Sequence, residues 1–254
     1  MDTIILTGPT SHLGIEILKK LIINYNVIGI SRSASKLTSI FKKSSPKGTY
    51  LPLDIDLGRE EISKIISQIK EKLIELNSEP RGLVNNAFTS YPSSSLAIDK
   101  KSVKDSAEGL FGLQVRLAIE FANLVKNNNQ GSIVNISSIY GKVSPRPSMY
   151  ETVKEINPIL YGSLKAALIQ STKFLSMTLA PQGIRVNSVS YGVFPSKKVQ
   201  NSKPDFVKRL ANNTHLKRIG NASEAAGIIE FLLSESSSYI TGADIPVDGG
   251  WTSW

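Results

Sequence analysis

TIILTGPTSHLG, residues 3–14, decides the fold. An apolar, β-branched run over Thr3–Thr7 stops at Gly8-Pro9, and a helical spacing of apolar residues begins at Leu13. A strand that turns through glycine into a helix is the first half of a βα unit. The same alternation continues outward along the chain. Further strands are expected at 27–31, 49–53, 83–86, 132–137, 185–190 and 243–247, with helices at 13–24, 60–76, 100–126, 158–179 and 223–234. The strand segments are apolar on both faces, as in a parallel sheet covered on both sides. The pattern predicts one doubly wound α/β domain over 1–254, with no internal repeat and no Gly/Ser linker. Loops at 142–157 and 193–217 leave the carboxyl edge of their strands, where open α/β sheets hold ligands.

Composition narrows the function classes. The 254 residues are 41% apolar and 20% charged, which excludes a disordered acidic chain and a membrane bundle. No window approaches the apolar length of a bilayer span, and Met1-Asp2 leads into a strand where a secretory signal would place its charged region. There is no cysteine, so disulfides, thiolate catalysis and Cys-based zinc sites are excluded, and no metal site is expected. A cytoplasmic location is expected. The net charge of +9 favours anionic partners. Nucleic acid is not among those expected, since no basic stripe carries interleaved aromatics.

The turn after the first strand sets backbone N–H groups and a helix N-terminus toward a possible pyrophosphate. Gly8 permits the tight turn and Gly14 the close helix–strand packing; an ordinary glycine-containing βα turn is the alternative. At the end of the second strand stand Ser31, Arg32 and Ser33, with Lys36 a turn further and no acid. A guanidinium there suits a 2′-phosphate, so NADP(H) is favoured over NAD(H); a surface arginine is the bland alternative. Tyr161-Gly-Ser-Leu-Lys165 places a phenol and an ammonium on one helix face. The cation is expected to lower the tyrosine pKa and make Tyr161 a proton donor or acceptor. A second such spacing, Tyr150 to Lys154, precedes Pro158 and cannot share its helix. Asn157-Pro158 reads as N-cap and first residue of the helix carrying Tyr161.

These segments together are similar to the short-chain dehydrogenase/reductase superfamily over essentially the whole chain. The similarity rests on TGPTSHLG at 7–14, LDI at 53–55, NNA at 85–87, SIVNISS at 132–138, YGSLKAAL at 161–168, IRVNSVSYG at 184–192 and ITGADIPVDGGW at 240–251. It implies a Rossmann-like sheet of seven parallel strands, a nicotinamide cofactor, and a homodimer or homotetramer. It also implies a catalytic set in which Ser138 hydrogen-bonds the reacting oxygen, Tyr161 exchanges the proton, and Lys165 also holds the nicotinamide ribose. For the cofactor it implies contacts at Gly8, Ser11, His12 and Gly14. Asp54 and Ile55 would flank the adenine, Asn86 would lie by the adenosine ribose and Val193 by the carboxamide.

Four positions depart from the family pattern. His12 stands for a middle glycine of the turn, Phe88 for a glycine after Asn85-Asn86-Ala87, and Tyr191 for a proline before Gly192. Gly109 stands where an asparagine usually kinks the fourth helix and supports a water chain, so a weakened proton relay is expected.

Over 185–218 lie Arg185, Lys197, Lys198, Lys203, Lys208, Arg209, Lys217 and Arg218, opposed only by Asp205. This suggests a basic lid over an anionic substrate, or else a solvated face. SSIYG at 137–141 and the DGGWTSW ending at 248–254 resemble members linked to surface-polysaccharide and flagellin-glycan sugars. The expected function is NADP(H)-dependent interconversion of a ketone and a secondary alcohol on an anionic or sugar-like substrate. Reduction of 3-oxoacyl groups on carrier protein, or a non-catalytic NADP(H) sensor or scaffold, are the alternatives. Trp251 and Trp254 are candidate subunit contacts.

Overall fold

Ile4 and Leu6 project to one side of the first strand and Ile5 to the other, and all three are buried. Apolar residues at both parities bury a strand between two helical layers. The computed structural model of the chain, which describes residues 1–44, 47–88, 98–125, 130–152 and 155–254, has seven such parallel strands, with the two at the sheet edges less fully buried. The strands are β1 (Thr3–Thr7), β2 (Asn26–Ser31), β3 (Tyr50–Asp54), β4 (Pro80–Asn85), β5 (Gly131–Ser138), β6 (Ile184–Tyr191) and β7 (Asp244–Val247). They form one parallel sheet in the order β3-β2-β1-β4-β5-β6-β7. The direction of strand addition reverses between β1 and β4, so the carboxyl ends of those two strands border a crevice.

Helices α1 (Gly14–Leu21), α2 (Thr38–Ser44), α3 (Ile62–Glu75), α4 (Lys100–Ala107), α5 (Leu113–Leu124), α6 (Ile159–Leu179), α7 (Lys197–Ser202), α8 (Pro204–Asn212) and α9 (Ala226–Leu233) follow in chain order. One core lies between the sheet and α3, α5 and α6, where Ile5 and Ile133 meet Ile65, Leu117, Phe121 and Leu175. The other lies under α1 and α9, where Ile4, Leu6 and Val134 meet Ile17, Leu18, Ile229 and Leu232.

Two expectations are corrected and one element is added. The helix expected over 100–126 is interrupted by a π-helical turn at Glu108–Gly112, because the glycine at 109 weakens the ladder and Gln114 takes its carbonyl. Position 126 lies outside the described residues. Pro158, with ψ 145°, is itself the N-cap of α6, and its carbonyl accepts the amide of Tyr161 at 2.9 Å; Asn157 is one residue too early. The segment after β2 holds α2, for which no expectation was made because its apolar spacing covers only about two turns.

Beyond β5 a small third cluster joins Ile139, Met149, Leu210 and Trp251. Trp251 is 2% exposed within this cluster, so it packs inside the chain and is not a subunit contact. Trp254 is exposed, with its ring 4.1 Å from that of His215.

Candidate active site

The glycine turn closes through its own side chains. Gly8 adopts φ 67°, and its carbonyl accepts the amide of Ser11. Ser11 Oγ accepts the amide of Gly14 at 3.0 Å, and Asn86 Nδ2 donates to the carbonyls of Thr7 and Gly8 at 3.0 and 2.9 Å. Thr7 Oγ1 accepts the amides of Asn86 and Ala87. Ser11 and Asn86 therefore build the turn and tie β1 to β4.

A Cβ on Gly14 would stand 2.0 Å from the Gly8 carbonyl oxygen, so only glycine lets α1 start this close to β1. The amides of His12 and Leu13 bond no described protein acceptor. They leave the donor set that a pyrophosphate at a helix N-terminus requires, and the turn fits a dinucleotide. His12 is partly exposed, and the turn closes through Gly8, Ser11 and Gly14 without its side chain.

At the end of β2, Arg32 is exposed and its guanidinium has no ion pair among the described residues. Ser31 Oγ accepts from Thr10 Oγ1 and the amide of Ser33. Asp54 does not compete for this edge: its carboxylate accepts the Ser35 amide at 2.9 Å and the Ser35 hydroxyl at 2.6 Å. Those bonds, helped by Lys36, hold its pKa below the usual range. Ile55 is buried, with its amide on the Ser31 carbonyl. At the end of β6, the Val193 carbonyl accepts from Gly220.

Ser138 ends β5, and Tyr161 lies in the first turn of α6 with Lys165 one turn on. Ser138 Oγ accepts the Tyr140 amide at 3.2 Å, leaving its own proton free to donate. Lys165 is 4% exposed, and its Nζ donates to the Ile136 carbonyl at 2.7 Å. The ammonium sits 6.0 Å from the Tyr161 ring centroid.

The expected lowering of the tyrosine pKa by Lys165 is not found. Burial raises Tyr161 above its ordinary value, and the opposing contribution is a hydrogen bond with Ser138. The phenol is therefore protonated at neutral pH. Desolvation dominates, and Lys165 makes no opposing contribution to the shift of Tyr161. Burial pulls Lys165 down from 10.5 to about 8.

The shift at Lys165 has a consequence for stability. Between about 8 and 10.5 the unfolded chain binds more protons at this position than the folded one, so stability rises with pH across that window. Below about pH 8 the cost of the buried charge is fully present. Lys165→Met is expected to raise the midpoint of thermal unfolding at pH 7 by about 3 °C, and by clearly less at pH 10. Calorimetry at both pH values tests this; an equal gain at both would refute it.

Three further residues shape the pocket. Tyr140 and Tyr150 hydroxyls lie 2.7 Å apart, and Tyr150 packs on Phe206 with ring centroids at 5.7 Å. Lys154, the other half of the second Tyr–Lys spacing, lies outside the described residues. Gln114 was not legible in the sequence. Its Nε2 donates to the carbonyls of Ala87 and Gly109 at 2.9 and 3.1 Å, bracing the π turn where the family's asparagine is absent. A contact from residue 114 back to 109 follows no regular helical spacing, so no sequence signal points to it. Tyr191 donates to the Ala225 carbonyl and packs on Phe194, a structural role away from the site.

The basic lid is also corrected. Arg185 lies at the amino end of β6, opposite the carboxyl edge of the sheet, and donates to the carbonyls of Leu232 and Ile240. Lys203 pairs with Glu155, Arg209 with Glu151 and Arg218 with Glu224, while Lys217 donates to the Asn212 carbonyl. The acids come from other parts of the chain, so a count over 185–218 overstates the field.

Residues 24–252 match the family described as enoyl-(acyl carrier protein) reductase. The chain belongs to the short-chain dehydrogenase/reductase superfamily. It is an oxidoreductase of alcohol and ketone groups, in a superfamily whose members bind a nicotinamide cofactor. It is 33% identical to L-xylulose reductase of Caenorhabditis elegans, with 98% of this chain and 95% of that protein covered. It is 26% identical to post-translational flagellin modification protein A of Campylobacter coli, covering 98% and 97%. The fold is shared with YwfH, an NADPH-dependent reductase involved in bacilysin biosynthesis, at TM-score 0.85 and 23% identity over 100% and 99% of the two chains. Among the described residues no helix is long and apolar enough to cross a membrane.

Proposed function

We propose that this dehydrogenase/reductase interconverts a ketone and a secondary alcohol on a small sugar-like substrate, with NADP(H) preferred. The observation that carries the reaction is Tyr161 in the first turn of α6, with Ser138 at the end of β5 opposing the rise in its pKa and the buried Lys165 one turn on. The bound nicotinamide supplies the hydride. Ser138 donates its free proton to the reacting oxygen and orients it. Tyr161, neutral in this pocket, gives its proton to that oxygen during reduction and recovers it during oxidation. Lys165 holds a positive charge near the phenolate that reduction leaves. Gly8, Ser11, His12, Gly14, Asn86 and Val193 shape the cofactor groove.

NADP(H) preference rests on Arg32, exposed and without an ion pair among the described residues, with Asp54 engaged by Ser35. Arg32→Glu is expected to weaken NADPH binding by about tenfold or more and NADH binding by less than about threefold. Titration of both cofactors checks this, and equal losses would refute the preference.

A sugar-like substrate is supported by the paired phenols of Tyr140 and Tyr150 beside Ser138, which offer hydrogen bonds to hydroxyl groups. The paired cations of the loop argue against a dedicated anion lid. Reduction of 3-oxoacyl groups on carrier protein is the second reading, favoured by the description of the matching family. Assays with keto-sugars and acyl thioesters separate the two, and NADPH binding without turnover on either class would favour a sensor. A homodimer or homotetramer is supported by exposed Ile119, Phe174 and Met177 on α5 and α6. The lack of cysteine supports a cytoplasmic site of action.

A further inference from the structure

Phe88 leaves the end of β4 with its side chain 50% exposed, an unusual cost for a large aromatic ring. Its ring centroid lies 5.5 Å from Lys165 Nζ, and the ring meets that of Tyr161 edge-on at 6.4 Å. The backbone just before it is pinned: the Ala87 amide donates to Thr7 Oγ1, and the Ala87 carbonyl accepts from Gln114 Nε2. The ring can therefore change place by side-chain rotation while β4 stays fixed.

Lys165 has one hydrogen-bond acceptor among the described residues, the Ile136 carbonyl, and three protons to donate when charged. The face of Phe88 covers the ammonium where those remaining donors would otherwise meet water or a ligand. An aromatic face over a desolvated cation is attractive, and a ligand that needs the cation must displace it.

We propose that Phe88 is a positioning residue that caps Lys165 in the free protein and is displaced when the cofactor's ribose hydroxyls reach the lysine. The proposal rests on the nicotinamide reading given above. It sets Phe88 against cofactor affinity: the ring shields the lysine from solvent and competes with the ribose for it.

The test uses the full chain with Phe88→Ala and Phe88→Trp, each first checked for an unchanged circular dichroism spectrum. Cofactor Kd is read from the fluorescence of NADPH and NADH. The alanine variant is expected to bind about fivefold tighter, the factor equivalent to about 1 kcal/mol of lost ring–cation attraction. The tryptophan variant, with the stronger cation-binding face, is expected to bind more weakly than the parent. Equal affinity in all three proteins, or weaker binding by the alanine variant, would overturn the cap. A second readout needs no cofactor: acetylation of Lys165 by acetic anhydride, followed by peptide mass spectrometry, is expected to accelerate at least about fivefold in Phe88→Ala. An unchanged acetylation rate refutes the cap even if the parent binds no nucleotide, whereas failure of the parent to bind either cofactor refutes the nicotinamide reading alone.

Discussion

Tyr161→Phe is expected to lower kcat for ketone reduction by about 10³-fold while cofactor Kd stays within about twofold. The two rings occupy the same space, so the edge contact with Phe88 and the start of α6 persist. What disappears is the one hydroxyl that faces Ser138 from the helix. Ser138 then has no proton source beside it, because its other contact is the Tyr140 amide, a donor the reaction does not consume. Tyr140 does not substitute: its hydroxyl is committed to Tyr150, and burial pushes its pKa far above the ordinary value. Steady-state kinetics with a keto-sugar, beside NADPH titration, measure both quantities. A loss of less than about tenfold would move the proton donor elsewhere. Because the phenol is protonated at neutral pH while Lys165 loses its charge through about pH 8, reduction should slow as pH rises through about 8, before Tyr161 itself titrates.

Gly14→Ala should be the most damaging one-methyl change within the glycine turn after β1. The added Cβ would sit 2.0 Å from the Gly8 carbonyl oxygen, 2.7 Å from Ser11 Oγ and 3.0 Å from Asn86 Nδ2. All three groups also hold the turn together, so relief of the clash breaks the bonds that shape it. The helix must retreat from β1 by more than 1 Å, which withdraws the amides of His12 and Leu13 from their approach to phosphate. Cofactor Kd is expected to rise by about 100-fold or more, and the unfolding midpoint to fall by about 5 °C, from overpacking of about 2 kcal/mol. Gly227→Ala is the control. No atom lies within 4 Å of its Cβ position, so the same change on α9 should raise the midpoint by about 2 °C through helix propensity alone. If the two variants behave alike, the turn geometry is not what fixes position 14.

The parts of the site that were legible are those set by short-range spacing. Tyr161 and Lys165 share a helix face because four residues make about one turn. Pro158 separates them from the earlier Tyr150, since a proline ring cannot continue a helix through the preceding turn. The strand-to-glycine-to-helix order at 3–14 located the turn, although the functions of Ser11 and Asn86 in closing it depend on a bond that spans 75 residues. The lowered pKa at Lys165 was not legible, and neither was the raised one at Tyr161. Both follow from burial, which depends on what the sheet, α6 and Phe88 bring around them.

Sequence alone therefore determined the doubly wound sheet, the crevice at its carboxyl edge and the placing of Tyr161 and Lys165 on one helix face, because hydrophobic periodicity and residue spacing act over one or two turns, whereas Ser138 was assigned through the family resemblance. The tertiary structure decided which charges remain free and which groups are dry. Arg209 and Arg218 find Glu151 and Glu224, Asp54 is taken by Ser35, Gln114 braces the π turn left by Gly109, and Phe88 lies over Lys165. The contacts of Arg209, Asp54 and Phe88 depend on distances between elements far apart in the chain, and those of Arg218 and Gln114 on turns with no regular helical spacing. Electrostatics and desolvation are governed by those distances, and local sequence spacing does not encode them.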